Sequence, residues 1–304
     1  MKLLQIACCV FLAWGMYVPH ADAKLKVVSL HPYLSDLASQ IGGENVEIHE
    51  LMPIGGNPHT FEPTPEDLKS VAQCDIVLAV GKKLESYLPA IKDNLKPGAI
   101  LVEVGKTIPS CLIDADNEIF VCCPSHNIGS VDPHWWHSVK AMKRANQVVT
   151  AAFSDKDPDH ADSYKANSGN YKKELDNLHK WVKKRVSEVP RSQRYLVTAH
   201  AAFGYFCRDY GFKSLPIQGL NKEHNPKPKY LAESIETIKK HKIRVVFPEI
   251  TANKDVLNAM VEESGIKVGG TLFADSPSKE IPDYIGAYTH NVNTIVNGIV
   301  QKEE

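Results

Sequence analysis

Short apolar runs alternate with amphipathic stretches along most of this chain. From Lys24 to about Gly105 the β-rich segments KVVSL, VEIHELM, DIVLAVG and AILVEVG are separated by HPYLSDLASQIGG, PEDLKSVAQ and LESYLPAIKDNL, whose apolar residues recur every three or four positions. Strands joined by helices of that length predict βαβ units and a parallel sheet. Gly42 with Gly43, and Pro97 with Gly98, fall where the helices should stop.

Between Asp157 and Pro190 the pattern becomes that of one polar helix, with Tyr164, Tyr171, Leu175, Leu178, Val182 and Val186 three, four or seven residues apart. A helix of about thirty residues spans ~45 Å at 1.5 Å per residue, further than one small lobe is wide, so it is predicted to act as a rigid spine. No Pro interrupts it, and Gly169 costs a helix only ~1 kcal/mol. After Pro190 the alternation resumes. YLVTA, a helix from Ala201 to Tyr210, FKSLPI and a helix from Lys229 to His241 are followed by RVVFPEI, a helix from Lys254 to Ser264, KVGGTLF and a terminal helix from Pro282. The fold class predicted is α/β: two lobes with mainly parallel sheets, residues 24–156 and 191–304, joined by one long helix over 157–190.

The first 23 residues read differently. One Lys precedes an apolar stretch from Leu3 to Val18, and Ala21, Asp22 and Ala23 form a small-residue cleavage site, the pattern of a secretory signal peptide. The apolar run is shorter than the ~20 residues that a membrane span needs. Lipid attachment at Cys8 is disfavoured by Gln5, which stands where an aliphatic residue is wanted. A secreted, periplasmic chain starting near Lys24 is expected. It keeps Cys74, Cys111, Cys122, Cys123 and Cys207, an odd number for an oxidising compartment. A disulfide from Cys111 to Cys122 or Cys123 would stabilise the fold by ~3 kcal/mol. Cys122, Cys123 and His126 are the rival reading, an accessory metal site.

Charge narrows the function only by exclusion. The 35 Lys and Arg nearly balance the 36 Asp and Glu, so no broad field favours nucleic acid or anionic lipid. Chemistry must be sought locally, and three of the 13 histidines stand in suggestive places. His59 lies in GGNPHTFEP, directly after a strand; His134 in VDPHWWHS, at a junction between loop and helix; His200 after YLVT, at the end of the first strand of the second lobe. Asp275 follows another strand, in GTLFADSP. Carboxyl ends of strands are where open α/β sheets bind ligands. Each of the four has an ordinary role as loop filler or helix cap, but three neutral imidazoles with one carboxylate suit zinc or a similar divalent ion.

These segments resemble the metal-binding solute-binding proteins of zinc and manganese ABC transporters, the cluster A-I or TroA-like family. NPHTFEPTPEDLKSVAQCDIVLAVG is similar to the family's first-ligand segment, DPHWW to the second, TAHAAFGYFCRDYG to the third and LFADSP to the fourth. The resemblance implies His59, His134, His200 and Asp275 as metal ligands between two lobes. It further implies an ABC-transporter permease as partner, a divalent ion as cargo and a monomeric chain. Zinc is the expected ion, with manganese or iron as alternatives. The chain departs from the family at His137 and Val139, where Leu and Pro are usual. His137, one helical turn beyond His134, thereby becomes an alternative or auxiliary ligand. Ala201 stands where an acidic residue often follows the third ligand, and no His-rich loop precedes the second.

Four protein ligands close a zinc shell and leave no open position for an activated water, which argues for a binding protein rather than an enzyme. The competing function is a secreted zinc-dependent hydrolase with Asp275 or Glu249 as general base, and no HExxH pair supports it.

Overall fold

The computed structural model describes residues 23–112, 130–217, 228–250, 257 and 261–300. All but Ala23 of the expected signal peptide, the group of Cys122, Cys123 and His126, and most of the first half of the helix expected from Lys254 lie outside the described residues. No helix among the described residues is long and apolar enough to cross a membrane.

The first part of the chain runs β1 (Leu25–Ser29), α1 (Pro32–Gly42), β2 (Val46–Glu50), α2 (Pro65–Val71), β3 (Ile76–Ala79), α3 (Leu88–Asp93) and β4 (Ile100–Glu103). The helix starts have local causes. The Thr64 hydroxyl accepts from Asp67 N–H while the Asp67 carboxylate accepts from Thr64 N–H, a capping box that begins α2, and Pro65 supplies a pre-set φ at its first position. The four strands form one parallel sheet in the order β2-β1-β3-β4. Every residue of β3 is buried, as a central strand covered on both faces requires.

A two-residue ribbon of β5 (Cys111–Leu112) antiparallel to β6 (Val131–Asp132) leads into a single 3-10 turn, Trp135–His137. Two long helices follow, α4 (Val139–Lys156) and α5 (Ala161–Val186). The helix after His134 begins only at Val139, because Ser138 is its cap, its hydroxyl accepting from Ala141 N–H at 3.1 Å. The spine is α5. It begins at Ala161 rather than Asp157, since Pro158 forces the preceding residue out of helical geometry. Its 26 residues span about 39 Å. The six residues picked out by spacing, from Tyr164 to Val186, are its buried ones, and Gly169 is exposed.

The remainder runs β7 (Tyr195–Thr198), α6 (Gly204–Tyr210), β8 (Lys213–Pro216), α7 (Pro228–His241), β9 (Val245–Val246), β10 (Lys267–Val268) and α8 (Tyr284–Val300). α6 starts at Gly204, not Ala201, so His200 stands in a loop before the helix. Parallel pairs β7 with β8 and β9 with β10 are tied by parallel bridges, Thr198 to Phe247 and Glu249 to Leu272. The fold is therefore mixed α/β with mainly parallel strands and one long helix. α5 packs against α1, α4 and α8, and one hydrophobic cluster runs from Leu25 through Trp135 and Leu175 to Ile299. The two sheets share that core, which sets the spacing between their edges.

Gly105 marks a close approach in this core. A Cβ there would meet Val80 O at 2.4 Å and Trp135 Nε1 at 2.7 Å. Gly105→Ala is expected to cost about 1–3 kcal/mol, as overpacking does, and to lower the midpoint of urea unfolding. An unchanged midpoint would contradict the packing described.

Candidate metal centre

The four residues marked in the sequence come from four loops and meet at one point. His59 stands in the loop between β2 and α2, and its N–H donates to Asn57 Oδ1 at 3.0 Å, a local turn that aims the following side chain. His134 follows β6, His200 follows β7, and Asp275 follows the bridge at Leu272. One ligand atom from each lies within 4.8 Å of all the others. His59 Nε2 is 3.1 Å from His134 Nε2. Asp275 Oδ1 lies 3.6, 3.5 and 3.2 Å from the Nε2 atoms of His59, His134 and His200. A tetrahedral ion with bonds of ~2.0–2.1 Å holds its ligand atoms ~3.3 Å apart, so these separations fit such a shell.

Two of the imidazoles are oriented by carboxylates. Asp132 Oδ1 accepts from the backbone N–H of His134 and faces its Nδ1, both at 2.8 Å. Glu249 does the same for His200, with Oε1 accepting from the backbone N–H at 3.0 Å and Oε2 2.5 Å from Nδ1. A proton on each Nδ1 satisfies both contacts and turns the Nε2 lone pair toward the common point. With Nδ1 carrying the only proton, His200 Nε2 is buried 3.2 Å from Asp275 Oδ1, and a cation between the two satisfies both.

The electrostatics follow from burial against carboxylates. Burial opposes charge on His200, but Glu249 and Asp275 outweigh it and raise the imidazole to about 9. His134 is raised too: burial opposes charging, and Asp132 and Asp275 overcome it. For His59 burial prevails over Asp275, and the pKa is lowered. His59 is also the partly exposed member of the set, which places the mouth of the site on its side.

His137 is not among the group. Its Nε2 is spent on the Ala274 carbonyl at 2.8 Å, and burial pushes its pKa down to about 3. Glu249, the base of the hydrolase reading, has both oxygens engaged by His200. Its role next to His200 needs strand β9 beside β7, which local sequence does not reveal; Asp132, two residues before His134 in a DPH turn, carried a local signal. His31 went unmarked as well. It is buried at the end of β1 with its ring 4.6 Å from that of Trp136, and burial lowers it to about 3.

Residues 27–298 match the family described as zinc-uptake complex component A, periplasmic (ZnuA). The chain is 31% identical over 287 residues to the manganese-binding lipoprotein MntA of Bacillus subtilis strain 168, covering 92% of this chain and 91% of that protein. It is 29% identical over 281 residues to the iron-binding protein YfeA of Yersinia pestis, covering 91% and 87%. The periplasmic zinc-binding protein TroA of Treponema pallidum superposes with a TM-score of 0.82 at 26% identity, over 92% of this chain and 100% of that one.

In metal-stripped protein the raised pKa of His200 adds stability that is fully present below its unfolded value of 6.5 and lost as the pH rises through about 9. The melting temperature after EDTA treatment is expected to fall across that window, and His200→Gln to remove this part of the slope. A variant with the wild-type slope would show that His200 is not held protonated.

Proposed function

Since the chain belongs to the ZnuA family of periplasmic zinc-uptake components, we propose that it captures one divalent metal ion outside the cytoplasmic membrane and passes it to the permease of an ABC importer. It is a binding protein, not an enzyme. The observation that carries the reading is the convergence of His59, His134, His200 and Asp275, which we assign as the ligands, with their ligand atoms within 4.8 Å of one another. Two lone pairs are pre-aimed by Asp132 and Glu249, so little reorganisation accompanies capture. The ion displaces protons held by the imidazoles, and affinity therefore falls as the pH is lowered.

Family membership leaves the ion open, because similar proteins are named for manganese, iron and zinc. Donor chemistry favours zinc. Three imidazoles and one carboxylate form a borderline-soft, four-coordinate set, and divalent affinities rise from manganese toward zinc. The secreted hydrolase is not favoured, since Glu249 is committed to His200 and the proposed shell has no position for an activated water. Secretion by a cleaved leader, two lobes divided near residues 157 and 190, and a monomeric chain complete the proposal.

Free zinc at 1,000 times its dissociation constant should add ~4 kcal/mol to stability. A thermal melt of EDTA-stripped protein with zinc restored reads this directly, and His200→Ala is expected to lose most of the gain. No shift in the wild type would sink the assignment.

Equimolar zinc should displace manganese from the loaded protein, measured by elemental analysis after desalting. Manganese retained against zinc would reverse the choice of ion while leaving the ligand set intact.

A further inference from the structure

Resting on the four-ligand reading above, we propose that His137 is a positioning residue that ties together the chain segments of His134, His200 and Asp275 and so sets the shape of the metal shell. The residue is 3% exposed and contacts all three segments through its backbone or its ring. It lies in the same 3-10 turn that His134 opens, and its backbone N–H donates to His134 O at 3.2 Å. Its Nε2 is 2.8 Å from the carbonyl oxygen of Ala274, the residue before Asp275. Its ring packs on Phe203, three residues beyond His200, with centroids 4.2 Å apart.

The protonation of the ring follows from its surroundings. A carbonyl oxygen only accepts, and burial holds His137 neutral, so Nε2 carries the proton and donates. Such a ring nitrogen has no lone pair to offer a metal. Trp136 Nε1 donates to the same Ala274 oxygen at 2.8 Å, so two side chains from the His134 turn converge on one peptide group next to Asp275. The turn is braced from the other side by α8, whose Tyr284 and Tyr288 hydroxyls donate to Trp136 O and His137 O at 2.8 and 3.0 Å. Asn291, also on α8, brackets Phe273 by accepting from its N–H and donating to its C=O, both at 2.8 Å. Residues 273–275 are thereby held at successive peptide groups, and His137 supplies the contact that also reaches the His200 loop. Leucine, the apolar residue expected at this position from the family resemblance, would fill the space without the donated hydrogen bond.

The test uses the mature full-length chain and cobalt(II) as the probe, whose visible absorption reports coordination geometry. His137→Leu is expected to weaken cobalt binding about tenfold or more, the usual effect of losing a group that orients a ligand segment, and to alter the visible bands. His137→Gln, whose amide can again donate to Ala274 O, should restore both. A Leu variant with wild-type affinity and spectrum would overturn the proposal, as would Leu and Gln variants that are equally impaired. Should the Leu variant fail to fold, His137→Asn, whose shorter amide stops short of Ala274 O, takes its place under the same two outcomes. Failure of the ligand assignment itself would look different, as unimpaired cobalt binding by His200→Ala.

Discussion

A fully buried imidazole gripped by two carboxylates is the constraint on which the site depends. His200 has no exposed side-chain surface, and Glu249 and Asp275 reach its two ring nitrogens at 2.5 and 3.2 Å. Carboxylates brought together away from water repel one another, and their burial is costly unless positive charge sits among them. A proton on His200 supplies one such charge, and a divalent cation would supply two. The same pair fixes direction: Glu249 holds both the backbone and Nδ1 of His200, leaving Nε2 to face Asp275.

The frame that brings these groups together is the meeting of two parallel sheets at their carboxyl edges. Loops that follow β2, β7 and the Leu272 bridge deliver His59, His200 and Asp275, and the antiparallel β5–β6 ribbon delivers His134. Such loops would be poorly placed were they free, but here they are cross-tied. Gly55 N–H donates to Ser276 Oγ at 2.8 Å, joining the His59 loop to the Asp275 loop, and Trp136 and Tyr284 join the His134 turn to the last third of the chain. Behind them α5 packs against α1, α4 and α8 and contributes its six buried residues to a shared core. Proteins named for manganese, iron and zinc resemble this chain over nine-tenths of its length. A frame common to all of them cannot by itself select an ion, which leaves selection to the donor atoms and to what positions them.

Much of this was legible in the residues. Short apolar runs and apolar positions every three or four residues identified the strands and helices of both sheets, because strands covered on both faces and helices buried along one stripe impose those patterns. His59, His200 and Asp275 were marked by standing just past a strand, since strand ends and ligand loops coincide in open α/β folds, and His134 by its place between a loop and a helix. The spine helix and its buried face were legible for the same reason. Its true start was not, because the Pro158 break interrupts a pattern that reads as continuous.

What only the tertiary structure decided concerns atoms, not positions. His137 and His134 are equivalent as sequence, two histidines three residues apart, yet one points to the common centre and the other donates to Ala274 O, 137 residues away along the chain. The partnership of Glu249 with His200 likewise spans 49 residues and exists because β9 lies beside β7. Which nitrogen of an imidazole bears the proton depends on the acceptor facing it, and here that acceptor arrives from a distant segment. Local sequence determined which residues could bind a metal, through chemistry and placement along a strand. The fold determined which of them present a lone pair, because that depends on partners that only packing brings within hydrogen-bond reach.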